Sequence, residues 1–559
     1  MALMSGKRAL LELLKQEGVE VLFGNPGTTE LPLMDALAVE NQLRYVLALQ
    51  EGAAMAMADG YAQASGKLVM VNLHVAPGLG NAMGMLYDAQ KSGAPILVTA
   101  GQHDHGFDVT EPILSADLPR IARPLVKWAG EVHRLADLPR ILHRAAKTAL
   151  APPTGPVFLS IPADILNANG DVDLMAPTRV GKQVRGDREA IERAADLLAR
   201  SERPILISGD AVAQSKAHAE LIELAELIGA PVFAEAVANT ASFPTSHPLY
   251  HGAIMRVDSW IAERLAQHDV LFSVGGDLFT LSLPPTVELV PKHLRIIHLD
   301  VDPWELGKNF PADVAILADP KATLPELTAA IRARLTDSMR LRARERFERM
   351  ISSISSHRES LLAKAAADAA IIPIRAFSLL QAIGAVLPKD SVVVEEAISS
   401  SPGIRDLIKS DDPQSFFGLR GGGIGWGLPA AIGVKIALPN RPVIALIGDG
   451  SAMYTCQALW TAAHERTGVI FVILNNKSYR ILKQRVHTLR GHAAQTDIYV
   501  GMDLLDPQID FVGLARCFGI AAERTSTIAD TIDALKKALV NGQPMLIDVT
   551  MDRAFKPLS

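Results

Sequence analysis

The sequence predicts an α/β protein made of three doubly wound parallel-sheet domains. Two observations carry this expectation. At 559 residues the chain is long enough for three or four domains. Short β-branched or apolar runs also alternate with helical stretches in three successive blocks, the signature of parallel sheets with helices on their faces.

The first block, residues 1–166, carries the runs VEVLF, RYVLA, LVMVNLH, APILVTAG and PVFLSIP. Its opening segment, up to Gly18, has an amphipathic helical pattern without the apolar core or small-residue cleavage site of a signal peptide. Residues Asn167 to Gly186 are polar and aperiodic and read as a linker. The middle block, residues 187–335, repeats the style with RPILISG, APVFAE, DVLFSVG and RIIHLDVD. A charged helical connector follows, from Asp337 to Asp368, its acidic residues offsetting its basic ones. The third block, residues 370–559, has SVVVEE, VIALIGDG, GVIFVILNN and PMLIDVT.

Composition narrows the function classes. The net charge of −6 is spread thinly, with no basic run for nucleic acid and no basic amphipathic helix for a membrane surface. Two distant cysteines, Cys456 and Cys517, make no disulfide framework, so a reducing cytoplasm is the expected setting.

The strongest motif lies in the third block. The run PVIALI ends in Gly448-Asp449-Gly450-Ser451; 24 residues separate Gly450 from Asn475, where a second run, GVIFVIL, ends in Asn475-Asn476-Lys477-Ser478-Tyr479. Both polar groups sit at carboxyl ends of strands, where open α/β sheets bind ligands. The glycines let backbone N–H groups approach an anion. A diphosphate also needs a hard cation, and Asp449, the Asn476 side-chain oxygen and a backbone carbonyl near Ser478 supply suitable oxygens. Together the pair closely resembles the diphosphate–magnesium motif of thiamine-diphosphate enzymes. Such a cofactor also needs a carboxylate in an apolar site, where burial favours proton sharing with a ring nitrogen. Glu51, in VLALQEGAAMAMADGYA between a strand and a small-residue helix, fits. The run Gly421 to Gly427 offers Ile424 as a wedge that bends the cofactor and the Gly422 carbonyl as an acceptor.

Over essentially its whole length the chain resembles the pyruvate-oxidase/acetolactate-synthase/benzoylformate-decarboxylase group, and within it the benzoylformate decarboxylases. The carrying segments include FGNPGTTELP, ALQEGAAMAMADGYAQAS, VNLHVAPGLGNAMG, ARPLVKW, GGIGWGLPAAIGVKIA and ALIGDGSAMYTCQALWTAA. The resemblance names the domains pyrimidine-binding, middle and diphosphate-binding. It implies thiamine diphosphate and Mg2+ as cofactors, held by Glu51, Ser399, Gly422, Ile424, Gly448, Asp449, Gly450, Ser451, Asn476, Ser478, Tyr479 and Ile481. It further implies that Thr28 binds a substrate carboxylate and that His74 donates or accepts a proton. The implied reaction is non-oxidative decarboxylation of a 2-oxo acid, with carboligation or cleavage of a 2-hydroxy ketone as the nearest alternatives. An FAD-dependent oxidase or a non-catalytic homologue is the more distant one. The implied assembly is a homo-oligomer, at least a dimer and by expectation a tetramer.

Some positions depart from the decarboxylase pattern. Around Leu281 and Ser282 the histidine those enzymes contribute from the middle domain is missing. Ile481 and Arg485 replace small and aromatic pocket residues, and Ile398 replaces a threonine. Arg485, turned inward, would bind a carboxylate or phosphate. Two further features read as decoys: GLGNAMG as helix–strand packing, and His103-Asp104-His105, with no third ligand at short spacing, as a surface loop.

Overall fold

The computed structural model describes residues 2–237 and 239–555. The first domain holds β1 (Ala2–Ser5), β2 (Val21–Gly24), β3 (Arg44–Leu47), β4 (Val69–Leu73), β5 (Ile96–Gln102), β6 (Ala129–Glu131), β7 (Val157–Pro162) and β8 (Asn169–Val172). Six of these strands form a parallel sheet in the order β3-β2-β4-β5-β7-β6. The middle domain holds β9 (Pro204–Ser208), β10 (Val232–Ala234), β11 (Tyr250–Ala253), β12 (Val270–Val274), β13 (Arg295–Asp300) and β14 (Val314–Leu317), ordered β11-β10-β9-β12-β13-β14. The third domain holds β15 (Val392–Glu396), β16 (Phe416–Gly418), β17 (Val443–Gly448), β18 (Val469–Asn475), β19 (Ala521–Thr525) and β20 (Met545–Thr550), ordered β16-β15-β17-β18-β20-β19. All three six-stranded sheets are parallel throughout, as predicted; helices connect most of their strands, but in the middle domain β10 runs to β11, and β12 to β13 to β14, without an intervening helix.

Central strands such as β4, β5, β17 and β18 are buried along nearly their whole length, which explains their continuous apolar runs. In each sheet the chain winds outward in both directions from one point. These reversals lie between β2 and β4, between β9 and β12, and between β15 and β17, and such points are where crevices form at strand carboxyl ends.

The stretch that reads as a linker is partly ordered into a strand. Residues 169–172 form β8, which pairs antiparallel with β1 at the very start of the chain. This small ribbon is only four residues a side and turns just Met4 and Val172 toward the core, too few for side-chain patterning to reveal it. For the same reason the helix expected at the N-terminus begins only at Gly6. The connector is a helix, Asp337–Ala367, with only Ala343, Ile354 and Ala365 buried.

The first and third domains share one core. Helix Glu51–Ser65 packs on helix Gly427–Ala437, and glycines set the separation. A Cβ on Gly433 would stand 1.8 Å from the Met57 carbonyl oxygen, and one on Gly60 would stand 2.3 Å from the Ala430 oxygen. The backbones touch because no side chain intervenes. Trp426, 1 % exposed, adds a polar pin: its Nε1 donates to Asp59 Oδ2 at 2.7 Å.

Candidate active site

The third sheet's crevice assembles the diphosphate motif. β17 ends at Gly448, and Asp449 opens a short helix, Asp449–Ala452. Asp449 is 2 % exposed, and one of its oxygens, Oδ2, is buried without a hydrogen-bond partner. Burial pushes its carboxyl up to about 6, against backbone N–H donors at Gly450, Lys477 and Ser478 that pull it down. The adjacent strand β18 delivers Asn476, whose Oδ1 accepts from the Ser478 N–H at 3.0 Å and from Ser478 Oγ at 2.8 Å. Asn476 Nδ2 donates to Ser400 Oγ at 3.2 Å. Arg480 donates to the Ser399 carbonyl at 2.6 Å and to Ser400 Oγ at 2.8 Å, binding the loop after β15 to the loop after β18. The Tyr479 ring lies where a Cβ on Gly450 would be, 2.5 Å from its nearest carbon. Ile481 is half-buried in the next helix.

The first sheet's crevice carries the other residues. Glu51, 8 % exposed, begins its helix, capped by Gln50, and accepts from Asn81 Nδ2 at 3.1 Å. Gly78, from the segment read as close packing, sits against Glu51; a Cβ there would be 3.2 Å from Oε1. His74 follows β4, and its Nδ1 lies 2.9 Å from Glu30 Oε2. Glu30 is 1 % exposed and fully engaged: Oε2 also accepts from the Gly27 N–H at 2.9 Å, and Oε1 accepts from the Gly101 N–H at 2.9 Å and from Thr29 Oγ1 at 2.7 Å. Gly27 is required here, because a Cβ would fall 2.0 Å from His74 Nδ1. Thr28 is exposed beside this pair.

The glycine run joins the two halves. Gly422 and Gly425 have φ of +87° and +104°, which side chains resist. Gly423 N–H donates to Asp88 at 3.0 Å, and the Gly425 and Gly427 N–H groups donate to Glu396 at 2.6 and 2.5 Å. Burial pushes Asp88 up to about 8 and Glu396 to about 7. Three β-branched or long residues also hold positive φ at these edges: Val75 after His74, Ile398 after β15, and Lys477 between Asn476 and Ser478. Backbone strain of this kind costs on the order of 1–3 kcal/mol per residue and concentrates at functional sites.

Residues 4–113 match the thiamine pyrophosphate enzyme N-terminal TPP binding domain, residues 191–327 its central domain, and residues 400–549 its C-terminal TPP binding domain. The benzoylformate decarboxylase of Pseudomonas aeruginosa is 34 % identical over 544 residues, 97 % of this chain and 98 % of that one. The chain belongs to the thiamine pyrophosphate enzyme family. A probable acetolactate synthase large subunit of Methanococcus aeolicus is 29 % identical over 98 % of this chain and 92 % of its own length. Among solved structures, the thiamine diphosphate-dependent 4-hydroxybenzoylformate decarboxylase of Rhodococcus jostii superposes with a TM-score of 0.86 at 31 % identity, covering 99 % of this chain and 100 % of that one. The benzoylformate decarboxylase of Polynucleobacter necessarius gives 0.87 at 29 % identity, with the same coverage.

The structure brings two departing positions together: Arg485 Nη2 donates to Ser282 Oγ at 3.0 Å, so the third domain's pocket helix meets the middle-domain loop. Arg256 lies close enough to Arg485 to feel its charge. Sequence reasoning missed Glu30, Asp59, Asp88 and Glu396, whose partners are remote in sequence. It also missed Arg420, which donates to Asp210 and Glu235, both at 2.6 Å. That cluster occupies the middle sheet's own reversal point, where Asp210 follows β9. No helix among the described residues is long and apolar enough to cross a membrane.

Proposed function

We propose that this protein is a thiamine-diphosphate- and magnesium-dependent, non-oxidative decarboxylase of a 2-oxo acid. The carrying observation is the His74–Glu30 pair beside buried Glu51, at the same sheet edge.

The residues fit the cofactor. A buried carboxylate oxygen without a partner, on Asp449, is what a divalent cation would satisfy, and the Asn476 and Ser478 oxygens stand next to it. Asp449, Asn476 and Ser478 would hold Mg2+; Gly448, Gly450, Ser451 and Ser399 would face the diphosphate; Gly422, Ile424, Tyr479 and Ile481 would frame the rings. Bound there, thiamine diphosphate supplies a carbon nucleophile for a carbonyl and an electron sink for the departing carboxylate.

The chain's own residues do the rest. Glu51, buried and hydrogen-bonded by Asn81, would share a proton with the cofactor's pyrimidine nitrogen. Glu30 fixes the His74 ring through Nδ1 and leaves Nε2 to give or take a proton at the reacting carbon. Thr28, exposed beside them, offers a hydroxyl to the substrate carboxylate. Arg485, Arg256 and Ser282 favour a substrate whose far end is polar or anionic, because adjacent guanidinium groups attract an anion. The Arg420 cluster at the middle sheet's reversal point supports a structural middle domain over an FAD site. By family resemblance the assembly is a homodimer or homotetramer in which first and third domains of different subunits complete each site, and two distant cysteines favour a reducing cytoplasm.

Carboligation is the second reading, supported by the likeness to the acetolactate synthase of Methanococcus aeolicus. The test is a panel of aromatic, aliphatic and dicarboxylic 2-oxo acids assayed for CO2 release with thiamine diphosphate and Mg2+. Release from one class carries the reading. Product formation only when an acceptor aldehyde is added turns it to carboligation, and no turnover of any member overturns it.

A further inference from the structure

A second group of ligating side chains lies on the first sheet and includes none of the residues assigned to thiamine diphosphate. Strands β5, β7 and β6 are neighbours and run parallel, so the segments leaving their carboxyl ends gather at one edge. His105 comes three residues after β5, Glu131 ends β6, His133 lies two residues beyond it, and Asp164 lies two residues after β7.

The pattern His103-Asp104-His105 reads from sequence as a surface loop with no third ligand at short spacing, and the fold brings candidate ligands to His105 from a neighbouring strand. His103 is not part of the group: its Nε2 faces the Ile113 carbonyl at 2.8 Å, and its ring packs edge-on against Phe107. His105 points the other way, and the missing ligands come from β6. His105 Nε2 lies 3.3 Å from His133 Nδ1 and 3.8 Å from Glu131 Oε1, and His133 Nδ1 lies 3.6 Å from the same Oε1. Four ligands at about 2.0–2.1 Å around a tetrahedral zinc ion stand about 3.3–3.4 Å apart, so one edge already has the required length and Glu131 needs to close by a few tenths of an ångström.

The surroundings prepare these atoms for a metal. Asp164 faces His105 Nδ1 at 3.0 and 3.2 Å, which places the proton there and leaves Nε2 with its lone pair. Ser160 Oγ donates to Glu131 Oε2 at 2.8 Å and leaves Oε1 for the ion. His133, 69 % exposed, opens an entry path and a fourth position for water. Two imidazole nitrogens and one carboxylate oxygen suit a zinc-class transition metal and not Mg2+ or Ca2+.

We propose that His105, Glu131 and His133 bind one zinc-class divalent ion per subunit, at a site separate from Asp449, and that the ion ties the segment after β5 to β6. The test uses the full-length protein, stripped of metal by a chelator, loaded with thiamine diphosphate and excess Mg2+, and titrated with Zn2+ against a chromophoric chelator. One tightly bound Zn2+ per subunit is expected. His105→Ala and His133→Ala should abolish it, and Asp164→Asn should weaken it about 10–100-fold. Co2+ in the same site should show the visible absorption of a four-coordinate ion. Asp449→Asn should leave the Zn2+ stoichiometry unchanged, which keeps this result distinct from any failure of the cofactor site. Circular dichroism of His133→Ala, a change at an exposed position, checks that its fold is intact. Zn2+ binding as weak in the parent protein as in His133→Ala, or binding lost on Asp449→Asn, overturns the proposal.

Discussion

Replacing Gly433 by alanine should force apart the first and third domains of the chain, both of which carry active-site residues. The new Cβ would lie 1.8 Å from the Met57 carbonyl oxygen, whereas Cβ atoms do not approach within 3.0 Å of their neighbours. Both partners are helical backbone, so neither rotates away as a side chain would. Helices Glu51–Ser65 and Gly427–Ala437 must therefore part by about 1.2 Å or more across a core that is otherwise fully packed. Overpacking of this kind costs about 1–3 kcal/mol, and a backbone-on-backbone clash belongs at the upper end. For a cooperative unit of about 150–250 residues, about 3 kcal/mol lowers the melting temperature by about 6–12 °C. Glu51 heads one of these helices and the glycine run leads into the other, so thiamine diphosphate affinity should fall together with stability. Scanning calorimetry and cofactor titration of Gly433→Ala measure both, with Gly181→Ala, a position open on all sides, as the control expected to stay within about 0.5 kcal/mol. A Gly433→Ala protein as stable as its parent would refute the close-packed interface.

Asp449→Asn should lose Mg2+-dependent binding of thiamine diphosphate while keeping its fold, as read by calorimetric titration and circular dichroism; unchanged binding would remove Asp449 from the metal site. His74→Ala should lower kcat/KM by about 10²–10⁴-fold with cofactor affinity intact, and Glu30→Gln should move the pH profile of kcat/KM without abolishing activity, because Glu30 acts through the ring it holds. Asp59 is pushed up to about 6 by burial, from an ordinary 3.8. An acid raised in the folded state keeps its proton longer there, so its contribution to stability is full below pH 4 and is lost as pH rises through 6. Asp59→Asn removes that loss, so urea unfolding should show the variant gaining on the parent by on the order of 3 kcal/mol between pH 4 and pH 7; a difference independent of pH would contradict the buried carboxyl.

Which elements were legible in the sequence was decided by burial. The strands recognised in it are, with the exception of β3, central ones, covered on both faces and therefore continuous in apolar residues. Besides the β1–β8 ribbon, the strands it hid, β6, β11, β14, β16 and β19, are sheet edges: three to five residues long, β14 and β19 with exposed positions, and without a run long enough to see. At the site, Asp449, Asn476 and Glu51 stand in local motifs at strand ends and could be named from sequence. Glu30 and Glu396 could not, because their roles come from partners that the fold supplies: His74 lies 44 residues from Glu30, and Gly425 lies 29 from Glu396. The same limit made His105 look like part of a plain loop, since Glu131 and His133 reach it only across neighbouring strands.

Glu51 as the activator of a cofactor anchored by Asp449 and Asn476 is the central claim. The most direct measurement is the rate at which bound thiamine diphosphate exchanges its reactive C2 proton for deuterium, followed by quenched NMR in the parent protein and in Glu51→Gln. Fast exchange is expected in the parent and, in the variant, exchange slowed by at least about 100-fold with the cofactor still bound. Equal exchange rates in the two proteins would contradict this role for Glu51.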